Sequence, residues 1–214
     1  MMATTRIIHE KMDKAALQQM PTVAFAGRIV VVQSAPEAER AVAFLRTQAL
    51  VGFDTETRPS FKRGQNHKVA LMQVSTHDLC FLFRLNMIGL PASVCEFLAD
   101  GNTRKVGLSL KDDFMMLHER ASVPLNNFVD LQQYVKPFGI KDMSLQKLYA
   151  NLFGERISKA QQLTNWEADV LTDRQKQYAA IDAWACLVLY EELERLKATG
   201  DYSLVPDENR PYDL

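Results

Sequence analysis

The chain has 214 residues, 47% hydrophobic and 24% charged, with a formal net charge of −1. This is globular composition with enough chain for one substantial core, and it excludes a disordered or fibrous molecule. It also excludes a global basic field, so a nucleic-acid partner would have to be met by a local patch or through bound cations.

The first twenty residues are interrupted by acidic and basic side chains and do not read as a signal peptide. No apolar run reaches the length of a membrane span. Cys80, Cys95 and Cys186 are odd in number, far apart and lack CxxC spacing. They fit neither a disulfide framework nor a zinc site, and a reducing, cytoplasmic setting is expected.

In chain order, residues 9–20 predict a short amphipathic helix ended by Pro21. Arg28–Val32 is a β-branched run and predicts a strand. Ser34 and Glu37, with Pro36 between them, have the spacing of a capping box. Behind them Ala38, Ala41, Val42 and Leu45 recur at helical spacing. Leu50–Asp54 is a short apolar run ending in charge, the pattern of a buried central strand. A charged loop follows, from Arg58 to Lys68. Val69–Ser75 and Leu79–Arg84 then predict two strands, antiparallel because their connection is so short.

Residues 91–100 predict a helix, Lys105–Leu108 a strand, Asp112–Arg120 a helix, and Asn127–Leu131 a further extended piece. Ser144 opens a helix that stops at Gly154. Thr172 and Gln175 form a second capping box, opening a long helix to about Lys197 with Gly200 beyond it. The last segment has two prolines and little apolar content, and is expected at the surface. Strands first, then alternation, then helices predict a mixed sheet with helices packed on it.

Three places concentrate carboxylates. Asp54 and Glu56 stand two apart, so on a strand they point to one side. Paired ionised carboxylates repel unless a cation sits between them, and magnesium or manganese prefers such oxygen ligands. Taken alone, D-x-E equally describes a strand that has reached solvent. Tyr178 and Asp182 stand four apart and share a helix face, near apolar Ile181, Ala185 and Leu189. An aspartate there is costly unless paired or metal-bound. The plain alternative is a tyrosine hydroxyl bonded to its own helix. Asp112 and Asp113 follow the Val106-Gly107-Leu108 run in the first turn of a helix, where carboxylates also serve as caps and dipole partners.

Together FDTET, VGLSLKDDF and YAAID, in this order, resemble the ribonuclease D family of 3′→5′ exonucleases, which includes Werner-type exonuclease domains. Flanking LMQV, NFVDL and Asn165-Trp166 fit as well, and the likeness runs from about residue 29 to residue 197. The resemblance implies an α/β, ribonuclease H-like fold, a five-stranded mixed sheet flanked by helices. Residues 1–28 would be an N-terminal extension, 29–200 the exonuclease domain and 201–214 a C-terminal tail. It further implies two divalent cations, Mg2+ or Mn2+, about 3.5–4 Å apart. Asp54 would touch both. Glu56 and Asp182 would hold the ion that activates water, and Asp113 would support the other. Asp112 would take a variable position. Tyr178, which marks the tyrosine subclass, would orient the water; with an ordinary pKa of about 10 a phenol is a poor base.

The implied partner is nucleic acid with a free 3′ end, DNA or RNA, and the products are nucleoside 5′-monophosphates. In the loop after the first motif, Lys62, Arg63 and Lys68 are expected to meet phosphates and Phe61 to stack or pack. A solvated surface loop is the alternative. Two other readings stay open: a catalytically silent nucleic-acid-binding module of the same fold, and an interaction protein whose strand-end acids are surface.

Overall fold

The structure, a computed structural model, describes residues 5–61, 64 and 66–207. Strand β1 (Arg6–His9) and helix α1 (Lys14–Gln19) lead into β2 (Arg28–Val32) and α2 (Ala35–Leu45). Strands β3 (Leu50–Thr57), β4 (Val69–Ser75) and β5 (Leu79–Phe83) follow. Helices α3 (Leu85–Ile88) and α4 (Ala92–Ala99) precede β6 (Arg104–Gly107), α5 (Leu110–His118), β7 (Phe128–Asp130) and α6 (Leu131–Tyr134). A 3-10 turn at Lys136–Phe138 leads to α7 (Leu145–Phe153), the long α8 (Asp173–Thr199) and β8 (Tyr202–Val205).

Six of these strands form one sheet in the order β2-β5-β4-β3-β6-β7. Strand β4 runs antiparallel to both neighbours, while the other pairings are parallel. This is the mixed, ribonuclease H-like arrangement that the motifs imply, with one strand more than the expected five. At one edge β7, within the extended piece expected at Asn127–Leu131, pairs in register with β6 from Lys105↔Phe128 to Gly107↔Asp130.

Every residue of β4 is buried, as a strand covered on both faces requires. Leu71 and Leu82 belong to the core under α7 and α8, which contributes Ala185 and Leu189. Phe53, Met72 and Val74 face the opposite core, built with α2, α4 and α5.

The caps follow the sequence at α8 and depart from it at α2. Thr172 Oγ1 accepts from Gln175 N–H at 3.2 Å, and Gln175 Oε1 accepts from Thr172 N–H at 3.0 Å, a complete box. Gly154 and Gly200 end α7 and α8 in the left-handed conformation. Ser34 makes no side-chain cap; Glu37 instead reaches back to Gln33 N–H at 2.8 Å. Helix α1 is shorter than expected because Asp13, not a residue near 9, caps it through Ala16 N–H at 2.8 Å.

The first and last strands of the described residues meet. Strand β8, within the expected surface tail, pairs in parallel with β1 from Arg6↔Tyr202 to His9↔Val205. Ile8 of β1 is wholly buried in the core beneath α8. Arg6 pairs with Glu192 at 2.9 Å and Lys11 with Asp207 at 3.1 Å. All three cysteines are free. Among the described residues no helix is long and apolar enough to cross a membrane.

Candidate active site

Strand β3 carries side chains in alternation, so Gly52, Asp54 and Glu56 share the face turned to α8. Gly52 sets how close the helix lies. A Cβ there would stand 1.8 Å from the Ala183 carbonyl oxygen, which is inside any allowed contact. The absent side chain brings the backbone of α8 onto β3, and Asp182 arrives beside the two strand acids. Carboxylate oxygens of Asp54, Glu56 and Asp182 lie within 4.8 Å of one another.

Asp113 comes from the other side of the sheet. Thr55 points away from the helix face, and its hydroxyl donates to Asp113 Oδ1. Asp113 stands outside the group of three but close enough that its charge acts on both Asp54 and Glu56. Its neighbour Asp112 is exposed. Of the two adjacent aspartates, Asp113 is therefore the one the fold turns toward β3.

The cleft is electrostatically strained as it stands. Burial, then the charges of Asp182, Asp113 and Glu56, hold the Asp54 carboxyl well above the usual carboxylate range. Burial, with Asp182 and Asp113, pushes Glu56 up to about 9. Burial raises Asp182 to about 7, opposed by a hydrogen bond from Tyr178 and by the charge of Lys159. Asp113 is pushed up to about 6, again by burial, with the Thr55 hydrogen bond opposing. Four carboxyls that resist ionisation in one place, all with hard oxygen donors, are the donor chemistry of a divalent-cation site.

Tyr178 lies one turn before Asp182 on α8 and donates to it. Burial, followed by the charges of Asp182 and Glu56, pushes the phenol upward, so it is a donor at neutral pH and not a base. Trp166, fully buried, lies against it with ring centroids 6.0 Å apart. Asp54, Glu56, Asp182, Tyr178, Lys159 and Gln146 line a cleft of about 340 Å³. The segment before α8 is anchored by the fully buried Arg84, whose guanidinium donates to the carbonyls of Ala168 and Asp169.

Residues 29–197 match the family described as 3′-5′ exonuclease. The chain belongs to this family. It is 30% identical over 201 residues to a 3′-5′ exonuclease of Arabidopsis thaliana, covering 86% of this chain and 70% of that protein. It is 28% identical over 220 residues to the mouse bifunctional 3′-5′ exonuclease/ATP-dependent helicase WRN. That match takes in 94% of this chain but only 16% of the relative's length. The fold is shared with Brucella melitensis NrnC with bound Mg2+, at a TM-score of 0.63 and 20% identity over 81% of this chain and 83% of that one.

Within this exonuclease domain the residues read from the three motifs converge, and the basic loop is less complete. Phe61 is 82% exposed. Lys68 is exposed, and Lys62 and Arg63 lie outside the described residues. The base of the loop is tied down: Arg58 pairs with Glu167 at 3.2 Å, and His67 Nδ1 contacts the same carboxylate at 3.2 Å. Sequence reasoning missed Thr55, Lys159 and Gly52. Thr55 and Gly52 lie beside the acids in the chain, yet nothing local says that one meets α5 and the other α8. Lys159 sits in an irregular segment with no periodic signal at all.

Proposed function

We propose that this exonuclease-family chain hydrolyses phosphodiester bonds from a 3′ end with two divalent cations and releases nucleoside 5′-monophosphates. The observation that carries this reading is the meeting of Asp54, Glu56 and Asp182 within 4.8 Å, from a strand and a helix far apart in sequence. In support, the NrnC fold neighbour is known with Mg2+ bound.

Asp54 would help to hold both ions, Glu56 and Asp182 would hold one of them, and Asp113 would support the second. Mg2+ or Mn2+, when bound, supplies Lewis-acid activation and neutralises charge on the phosphate. The Tyr178 hydroxyl, already held by Asp182, orients the attacking water, which makes the chain one of the tyrosine subclass. Water adds to phosphorus, the bond to the 3′ oxygen of the preceding nucleotide breaks, and the terminal nucleotide leaves as a 5′-monophosphate. Lys159 offers a cation at the cleft wall to a phosphate oxygen. Lys62, Arg63 and Lys68 are assigned backbone phosphates further along the strand, and exposed Phe61 is free to stack on a base. Residues 29–200 are assigned as the catalytic unit. Free thiols at Cys80, Cys95 and Cys186 support a reducing compartment, the cytoplasm.

The test is degradation of matched end-labelled DNA and RNA with Mg2+, Mn2+ or chelator. Cleavage from the 3′ end that stops with chelator, and is lost in Asp54→Ala and Asp182→Ala while both remain folded, is expected. Full activity in either variant, or after thorough metal removal, would refute the mechanism.

A further inference from the structure

We propose that Asp130 is a positioning residue that sets the direction of Asp113 and thereby the affinity of the second cation; this rests on the two-cation reading above. The turn from β6 into α5 is unusual. Ser109, at the helix N-cap position, has φ 61° and ψ 37°, the left-handed region that non-glycine residues avoid. Its hydroxyl makes no cap bond. The cap comes from another strand instead. Asp130, at the end of β7, accepts Ser109 N–H on Oδ1 and Leu110 N–H on Oδ2, each at 3.0 Å. Oδ1 also accepts Gln132 N–H at 2.9 Å, so one carboxylate starts α5 and α6 together.

Two features fix this turn. Asp130 stands opposite Gly107 in the β6–β7 register. A Cβ on Gly107 would come within 2.4 Å of Leu110 Cδ2 and 2.9 Å of the Phe53 carbonyl oxygen, so the turn folds tightly over the end of β6. Asp113 follows Leu110 by three residues, within the first turn of α5, and its direction therefore depends on how that turn begins. A helix of this length could have been capped by its own serine. A strained serine held from a neighbouring strand couples the placement of Asp113 to the sheet, and strain of this kind gathers at functional sites. Outer partners of metal-ligating groups govern affinity in the same way, by orienting the ligand.

The experiment is Mn2+ binding to the full chain, counted by electron paramagnetic resonance and calorimetry, for the native protein, Asp130→Asn and Asp130→Ala. Asp130→Asn keeps the shape and one acceptor, so it protects the test against loss of folding in the alanine variant. The tighter ion should be retained in both variants. The second should weaken about 10-fold or more, kcat should fall with little change in KM for an oligonucleotide, and excess Mn2+ should restore it. A lowered melting temperature with unchanged second-ion affinity would show a structural cap only and overturn the inference. Native protein that binds no Mn2+ would instead refute the two-cation reading itself, and the inference with it.

Discussion

At the scale of single residues, the acids are poised against one another. Carboxyls raised by folding hold protons that the unfolded chain has released. Their contribution to stability is complete below the ordinary carboxylate range and is lost as pH rises through the folded values, about 6 for Asp113, 7 for Asp182 and 9 for Glu56. Metal-free protein should therefore lose melting temperature between about pH 5 and pH 9, and saturating Mg2+ should largely cancel the slope. Scanning calorimetry across that range with chelator or Mg2+ checks this; a flat metal-free profile would contradict the electrostatics. Tyr178 acts differently, since it neither carries charge nor reaches Asp182 from a distance. Tyr178→Phe should slow cleavage by about 10²-fold, the size of a misplaced reactant, while Mn2+ affinity stays near the native value. The YAAID spacing made the pair legible because i and i+4 share a face in any helix.

Elements place these residues, and Gly52 shows how. It reads in sequence as one small residue in an apolar run, and the strand forms with or without it. Its role is the contact with α8: a methyl group there meets backbone at Ala183, which cannot rotate away. Gly52→Ala should cost about 1–3 kcal/mol or more, as overpacking does, and should depress Mn2+ affinity by moving Asp182 off Asp54. Chemical denaturation with parallel metal titration reads both. The capping box of α8 is a local device by contrast. Thr172→Ala should cost about 1 kcal/mol with metal affinity unchanged, because Asp182 lies nearly three turns further on. Comparing the two variants separates helix formation from helix placement.

For the whole molecule, the pairing of β1 with β8 matters most. The segments outside the family match close on each other, and Ile8 is wholly buried in the core beneath α8. Ile8→Ala should cost about 2–5 kcal/mol, measurable by urea denaturation; a change near zero would make the N-terminal segment an appendage. From the sequence alone came the α/β class, the helix stops at Gly154 and Gly200, the α8 capping box and the three acidic motifs. All of these depend on periodicity or on neighbours within a few residues. Tertiary structure alone decided the docking of β7 beside β6, the pairing of β1 with β8, the seat of α8 on Gly52 and the approach of Asp113 through Thr55 and Asp130. Those features are contacts between residues tens to nearly two hundred positions apart. Which distant partner meets which is settled by how packed layers fit, and no local pattern records it.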